Sequence, residues 1–309
     1  MNDLFNDMKS VVIESGQPGP ELLISAGVHG DEYEPMLAAS ALARNLPGQL
    51  CSGSVRIVTV VNKSAYMQGD RLGKDGFDLA RICPGKPIGS DSEVSAYQIS
   101  ELIRSSDYYI DMHTGGRLFQ IHPLAGYTLH KSAEILSQQR RMAIAFNLPV
   151  VWGTDSAPDG RTLSVARDAQ VPAIYVEYGG GSPINKEIVK AYYEGCVNVL
   201  RSLHMMRSKK STNRAVKYWV EDDSPDSGHL QAKMPSPMSG IFIPQARIGE
   251  KINKGQVWGV IADPVSGEEK EAMADKDGIA LFLRATPFVQ QGQSLGGILP
   301  ISNLKDSSV

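Results

Sequence analysis

The stretch ELLISAGVHGDEYEPMLAASALARNL, residues 21–46, runs from a strand pattern through a turn into a helix pattern. Residues 21–26 are mostly apolar, which is typical of a strand inside a sheet. After the turn, apolar residues such as Met36, Leu37 and Leu42 recur at helical spacing. A strand that leads directly into a helix is the building unit of α/β folds, whose helices cover a mostly parallel sheet.

The same alternation of strand and helix patterns continues to about residue 207. Further strand patterns cover residues 54–61, 107–112, 149–152 and 172–180, and helix patterns cover residues 93–104, 131–146 and 185–207. This order predicts an α/β domain over residues 1–210, with helices on both faces of its sheet.

A polar, basic stretch without periodicity, residues 207–215, precedes a different pattern. Residues 216–303 contain short apolar runs between turn residues, which predicts a small all-β domain over residues 211–309. Two segments within it, 247–261 and 284–298, are alike, since each places Gly-Gln before an apolar strand. We therefore expect the two segments to be halves of a quasi-symmetric barrel.

The composition limits which partners and which cellular compartment we expect for this protein. The chain has 309 residues and a net charge of −3, so it lacks the basic surface that binds nucleic acids and anionic membranes. No apolar run is long enough to span a membrane, and the N-terminus lacks the pattern of a secretory signal. Three widely spaced cysteines, Cys51, Cys83 and Cys196, suit reduced thiols better than disulfides. We expect a cytoplasmic protein without nucleic-acid or membrane partners, and the sequence leaves open whether it forms a homo-oligomer.

His29 and Glu32 lie directly after the first strand, where the chain turns into a helix. Their spacing places an imidazole and a carboxylate about one helical turn apart. His113 follows another apolar strand, and ligand sites form at the carboxyl ends of strands in open α/β sheets. Two histidines and one glutamate are the ligand set of open catalytic zinc sites. Asp111 should point to the same side of its strand as His113 and hold that imidazole in place.

Three further charged residues have the chemistry that amide hydrolysis requires. Glu177 ends an otherwise apolar strand, where loss of hydration raises the pKa of a carboxyl group toward a value useful for proton transfer. Arg71 and Arg81 lie in a glycine-rich stretch, and a guanidinium group binds a carboxylate through two hydrogen bonds. The residues alone leave a second interpretation open, in which Glu177 is an ordinary charged strand end and both arginines lie on the surface.

Four segments in this order resemble the succinylglutamate desuccinylase/aspartoacylase family, a branch of the zinc carboxypeptidase clan. The segments are GVHGDEYEP (27–35), NKSAYMQGDR with DGFDLARICPG (62–85), DMHTG (111–115) and YVEYGGG (175–181). The resemblance covers residues 20–207 and implies a zinc-carboxypeptidase-like mixed sheet with helices on both faces.

The resemblance also implies roles for individual residues. It implies that one zinc ion per chain is bound by three of them: His29, Glu32 and His113. Glu177 is then the general base and proton shuttle, and Arg71 polarises the scissile carbonyl group. Arg81 contacts the carboxylate of the substrate.

One departure from the family concerns the substrate. The family usually reads DLNR where this chain has Asp78-Leu79-Ala80-Arg81, so Ala80 replaces an amide that helps to hold the substrate. The C-terminal stretch resembles the β-barrel-like extension of the family, which is akin to biotinyl and lipoyl domains. Lys270 lacks the methionine or aspartate that typically flanks the modified lysine of such carrier domains, so we expect no attached cofactor.

The leading interpretation is a zinc-dependent hydrolase that cleaves the amide bond of a small N-acylated amino acid or amine. A metallocarboxypeptidase that releases C-terminal residues from peptides is the enzymatic alternative. An alternative from another class is a non-catalytic zinc-binding or assembly protein, in which the β domain recruits a partner. His122, Asp159 and Arg161 are further candidates for the edge of the pocket.

Overall fold

A mixed sheet forms the centre of the computed structural model, which describes residues 8–181, 183–207, 216–225, 227–228 and 233–301. The predicted domain boundary between residues 210 and 211 lies outside the described residues. The first eight strands are β1 (Ser10–Glu14), β2 (Glu21–Ala26), β3 (Ser54–Val58), β4 (Tyr108–His113), β5 (Phe119–Thr128), β6 (Val150–Thr154), β7 (Ala173–Gly179) and β8 (Tyr218–Glu221).

Helices cover both faces of this sheet, as predicted. In the described ranges they are α1 (Tyr33–Asn45), α2 (Lys63–Gln68), α3 (Asp91–Ser105), α4 (Ala133–Phe146), α5 (Thr162–Asp168) and α6 (Lys186–Ser202). Helix α6 packs against α1 and α4 on one face, and α3 packs against α5 on the other. Strand β2 serves both faces, because Leu22 and Ile24 belong to one hydrophobic cluster and Leu23 to the other. None of the helices in the described part of the chain has the length and apolarity that a membrane span requires.

Most predicted strands and helices occur close to their predicted bounds. The strand predicted over 54–61 ends at Val58, and the helix predicted over 185–207 ends at Ser202. The elements that the sequence did not predict have a common cause. Strands β1 and β5 and helices α2 and α5 have no clear sequence pattern. Pro123 and Gly126 interrupt the pattern of β5, and α5 has only seven residues. Short or interrupted elements give weak periodicity, so the sequence alone does not reveal them.

The strands around the predicted site are parallel, which determines where their carboxyl ends meet. Strand β2 pairs with β3 and β4, and β4 pairs with β7, all in parallel. Strand β5 runs antiparallel to β7 and parallel to β6, so the sheet is mixed. Strands β4 and β7 lie in register, with His113 opposite Glu177. The carboxyl ends of β2, β4 and β7 therefore lie at one edge of the sheet, where ligands bind in α/β folds.

The C-terminal strands repeat one pairing pattern in two halves. They are β9 (Gly240–Pro244), β10 (Lys251–Ile252), β11 (Val257–Ala262), β12 (Glu269–Met273), β13 (Gly278–Arg284), β14 (Phe288–Val289) and β15 (Gly296–Leu299). Strand β9 pairs with β11 and β14, and β13 pairs in the same way with β15 and β10. Each of the two similar segments forms a two-residue strand, a turn with a left-handed glycine (Gly255 or Gly292) and a longer strand. The two halves follow the predicted repeat, and closure into a barrel stays a prediction.

Part of the C-terminal region extends the central sheet. Strand β8 pairs in parallel with β6, and β13 pairs antiparallel with β5. The described central sheet thereby reaches eleven strands, while β12, β11, β9 and β14 form a second sheet in that order. Residues on both sides of the predicted boundary therefore belong to one sheet.

Candidate active site

His29, Glu32 and His113 converge at the carboxyl edge of the central sheet. His29 lies in a tight turn after β2, Glu32 is the N-cap of α1, and His113 ends β4. The Nδ1 atom of His29 lies 2.7 Å from Oε1 of Glu32, and Nδ1 of His113 lies 2.9 Å from Oε2. One potential ligand atom from each residue lies within 4.8 Å of the others. These residues, the metal-donor cluster, come from two distant stretches of the chain.

Gly30 permits the turn that joins the first two donors. A Cβ atom at this position would lie 2.0 Å from the carbonyl carbon of Ala65, so no larger residue fits. The N–H of Gly30 donates to the carbonyl oxygen of Asp70 at 2.9 Å. The turn is therefore held against the segment that contains α2.

Each histidine contacts a second carboxylate through its other ring nitrogen, Nε2. Nε2 of His113 lies 3.0 Å from Oδ2 of Asp111, as predicted from the sequence. Nε2 of His29 lies 3.2 Å from Oδ1 of Asp78. Carboxylates in this position fix the tautomer and the orientation of an imidazole. Both Nε2–H groups then donate to a carboxylate, and both Nδ1 atoms face Glu32.

Asp111 is itself held by hydroxyl groups from other elements. It is fully buried, and it accepts hydrogen bonds from Oγ of Ser25 at 2.8 Å and from Oγ1 of Thr162 at 2.5 Å. The hydroxyl groups of Ser25 and Tyr109 lie 2.7 Å apart. Because Thr162 begins α5 and lines the cavity described below, Asp111 links that helix to His113.

Burial and opposite charge act against each other in the metal-donor cluster. Burial raises the pKa of Glu32, but His29 and His113 outweigh it and hold this pKa well below its usual range. Burial lowers the pKa of His113, but Asp111 and Glu32 outweigh it and raise this pKa well above 6.5. The buried carboxylate therefore stays ionised and provides negative charge for a cation.

The metal-donor cluster fits a zinc ion. Two imidazoles and one carboxylate are a zinc ligand set that leaves a coordination position open. Both imidazoles present the same atom, Nδ1, and both are oriented by a carboxylate at Nε2. Ligating histidines in metal sites have the same outer support.

Glu177 lies beside the metal-donor cluster, on β7 and opposite His113. Burial has the largest effect and raises the pKa of Glu177 to about 7, although His113 acts in the opposite direction. Tyr178 follows Glu177, and then come three glycines, residues 179–181, with φ between 69° and 92°, which turn the chain sharply at the strand end. A carboxyl group with a pKa near neutrality both accepts and donates a proton readily.

One cavity of about 300 Å³ contains the metal-donor cluster, Glu177 and both predicted arginines. Nε of Arg71 donates to Oδ2 of Asp78 at 3.0 Å, so the same aspartate holds Arg71 and a histidine. Nη1 of Arg81 donates to the carbonyl oxygen of Ala80 at 2.7 Å. Ala80, where the family's usual amide is missing, also lines the cavity.

Of the three candidates for the pocket edge, the structure places one in the cavity wall. Arg161 lines the cavity. Asp159 instead forms an exposed ion pair with Arg167 at 2.7 Å, and His122 lies on β5 against Gly249. Within the described wall of the cavity, Asp159 and His122 are absent.

The sequence predicted Asp111 as a support of His113, but it did not predict the other supporting groups, Asp78, Ser25 and Thr162. Asp78 lies between Arg71 and Arg81 in the same loop, and that placement is the available signal. Ser25 and Thr162 give no local signal, because they reach Asp111 from a neighbouring strand and a helix.

The chain belongs to the succinylglutamate desuccinylase/aspartoacylase family, because the model of that family's catalytic domain matches residues 18–203. The resemblance seen in the sequence motifs is therefore confirmed. A curated relative is the N-alpha-acetyl-L-2,4-diaminobutyric acid deacetylase of Halomonas elongata. It is 29% identical over 300 residues, which cover 94% of this chain and 84% of the relative.

Solved structures of similar proteins share the fold over nearly the whole chain. A succinylglutamate desuccinylase/aspartoacylase from Rhodobacter sphaeroides is 25% identical, with a TM-score of 0.86, and the match covers 96% of this chain and 89% of that one. The product-bound ectoine utilization protein EutE (DoeB) from Ruegeria pomeroyi is 22% identical, with a TM-score of 0.84. That match covers 94% of this chain and 87% of the other, and it shows the fold.

Proposed function

We propose that this chain is a zinc-dependent hydrolase that cleaves the amide bond of a small N-acylated amino acid. The observation that carries the proposal is one cavity in which His29, Glu32 and His113 lie beside Glu177. The name of the Halomonas elongata relative supports an acylated amino acid as the substrate. Zinc, when bound, supplies a Lewis acid that polarises the acyl carbonyl group and lowers the pKa of water.

Glu177 moves the proton in this mechanism. Because its pKa is about 7, a large fraction of the carboxyl group is ionised at neutral pH. The carboxylate accepts a proton from the attacking water and then donates it to the nitrogen of the leaving amine. The products are a short carboxylate and a free amino acid.

The arginines bind the two charged parts of the reacting substrate. Arg71 donates to the carbonyl oxygen as negative charge develops there. Asp78 supports this role, since it contacts both Arg71 and His29 and so holds the guanidinium near the metal-donor cluster. Arg81 binds the substrate carboxylate, for which the planar guanidinium is suited.

The size of the cavity favours a small substrate over a peptide. A volume of about 300 Å³ is at the lower end for ligand pockets, roughly 300–1,000 Å³. Phe282 and Gly228, from the C-terminal part of the chain, contribute to its wall.

The test is the variant Glu177→Gln, assayed for turnover of N-acetyl amino acids and short peptides and for zinc by atomic absorption. We expect kcat to fall by roughly 10²- to 10⁴-fold, the usual contribution of a general base, with one zinc ion still bound. Glu194→Gln, at an exposed position on α6, is the matched control and should keep both properties. Full turnover by Glu177→Gln, or wild-type protein that takes up no zinc, would contradict the proposal. Faster cleavage of peptides would favour the carboxypeptidase alternative.

A further inference from the structure

One part of the cavity wall is aromatic. Trp152 on β6, Tyr175 on β7 and Phe282 on β13 line the cavity. Trp152 and Phe282 belong to one hydrophobic cluster, and Tyr175 packs against it. Trp152 and Phe282 are 3% and 4% exposed. These three residues, the aromatic wall, come from both sides of the predicted domain boundary.

Strand register places Tyr175 and Trp152 on the sheet face that carries Glu177. Tyr175 precedes Glu177 by two residues, so both side chains point to the same face. Tyr175 lies opposite Gly126 on β5, and Gly126 lies opposite Trp152 on β6. A Cβ atom at Gly126 would lie 2.2 Å from Cζ of Tyr175, so the glycine makes room for the ring. The aromatic wall therefore begins next to the proposed base.

The aromatic wall is apolar apart from two polar side-chain atoms, on Tyr175 and Trp152. The hydroxyl group of Tyr175 bonds to Thr154, and Phe282 has no polar side-chain atom. Nε1 of Trp152 is buried, has no hydrogen-bond partner among the described residues, and can only donate. A charged substrate group against this wall would lose hydration, whereas an apolar group gains by leaving water.

Asp155 also lines the cavity and is the natural partner for an ammonium group on a substrate. Its Oδ1 atom already accepts a hydrogen bond from the N–H of Ala157 at 2.9 Å. Its own N–H donates to Oγ of Ser227 at 2.8 Å. These contacts hold Asp155 in its loop through one carboxylate oxygen and the backbone N–H.

We infer that the aromatic wall binds an apolar group of the acylated amino acid, either its side chain or its acyl chain. The enzyme then prefers substrates with a large apolar group to substrates with a charged side chain. The inference rests on the proposed function, because it assumes that this cavity holds an N-acyl amino acid. A hydrophobic pocket discriminates by roughly 10- to 200-fold per methylene, so the preference should reach at least the lower value.

The experiment measures binding separately from turnover. Calorimetric titration of zinc-loaded Glu177→Gln protein uses N-acetyl-L-phenylalanine, N-hexanoyl-L-alanine, N-acetyl-L-alanine, N-acetyl-L-aspartate and N-alpha-acetyl-L-2,4-diaminobutyrate. Wild-type kcat/KM is measured for the same compounds. The variant Phe282→Ala tests the wall, with Phe282→Leu as a milder change. Phe242→Ala is the matched control, because Phe242 is also 4% exposed but belongs to a different hydrophobic cluster.

We expect the phenylalanine or the hexanoyl compound to bind at least about tenfold more tightly than N-acetyl-L-alanine. The tighter of the two identifies the side chain or the acyl chain as the apolar group. Phe282→Ala and, to a smaller extent, Phe282→Leu should reduce the ratio of the affinity for the apolar compound to the affinity for N-acetyl-L-alanine. Phe242→Ala should leave this ratio unchanged. Equal or tighter binding of the aspartate or diaminobutyrate compound would overturn the inference, as would an unchanged ratio in Phe282→Ala. If the apolar compound binds with preference but the wild type hydrolyses none of the compounds, the proposed function fails and the aromatic wall stands.

Discussion

Replacing Glu177 by glutamine should change how the stability of the metal-free protein depends on pH. Burial raises the pKa of Glu177 from 4.5 to about 7, so between these values the folded state keeps a proton that the unfolded chain releases. The contribution of this carboxyl group to stability is therefore complete below about pH 4.5 and is lost as the pH rises to about 7. The full effect is roughly 3 kcal/mol, because a pKa change of one corresponds to about 1.4 kcal/mol.

The assay is urea unfolding of wild-type and Glu177→Gln protein, both stripped of zinc, from about pH 5 to about pH 8. Glutamine keeps the shape of the protonated carboxyl group but does not titrate. The free energy of unfolding of the variant, relative to the wild type, should rise by about 2–3 kcal/mol across this range. Glu194→Gln reports any effect of the exchange itself. A difference between Glu177→Gln and wild type that stays constant with pH would refute the argument that burial raises this pKa.

Three further predictions concern the metal-donor cluster and the thiols. Asp111→Asn should weaken zinc binding by roughly 10- to 100-fold in competition with a chelator, because His113 loses the carboxylate that orients it. Unchanged zinc affinity would count against that role of Asp111. Gly30→Ala should prevent zinc uptake, measured by atomic absorption, because its Cβ would lie 2.0 Å from the backbone of Ala65; full uptake would show that the turn can shift. A thiol reagent should modify only the exposed Cys51 in folded protein and all three cysteines in urea, since Cys83 and Cys196 are buried and have raised pKa values. Labelling of more than one thiol before unfolding would disprove this prediction.

The metal-donor cluster was predictable because each donor follows a strong local pattern. His29 and Glu32 come after an apolar strand that leads into a helix, and His113 ends another apolar strand. In a parallel arrangement, strand ends of this kind meet at one edge, so two short patterns were enough to predict the meeting point. Asp111 was predictable for the same reason, since alternate residues of a strand share a face.

The groups that complete the cavity could not be predicted in this way. Trp152 and Phe282 meet Tyr175 only because β6 and β13 both pair with β5, and the sequence gives no sign of β5 as a strand. Asp78 lies in a loop, and its carboxylate contacts Arg71 and His29 from there. Contacts between segments far apart in the chain depend on topology, which local periodicity does not contain.

The change of sequence pattern near residue 210 marks a change of secondary structure rather than the end of the cavity wall. Strand β8 completes the sheet beyond β6, and Glu221 at its end accepts two hydrogen bonds from Arg140 of α4, at 2.6 and 2.8 Å. Strand β13 pairs with β5 and brings Phe282 into the cavity. A chain that stopped at the predicted boundary would leave these edges of β5 and β6 unpaired and the aromatic wall without one ring. If the aromatic wall selects the substrate, the catalytic residues and part of the substrate selectivity come from different sides of that boundary. Substitutions in the C-terminal region should then alter substrate preference while the metal-donor cluster stays intact.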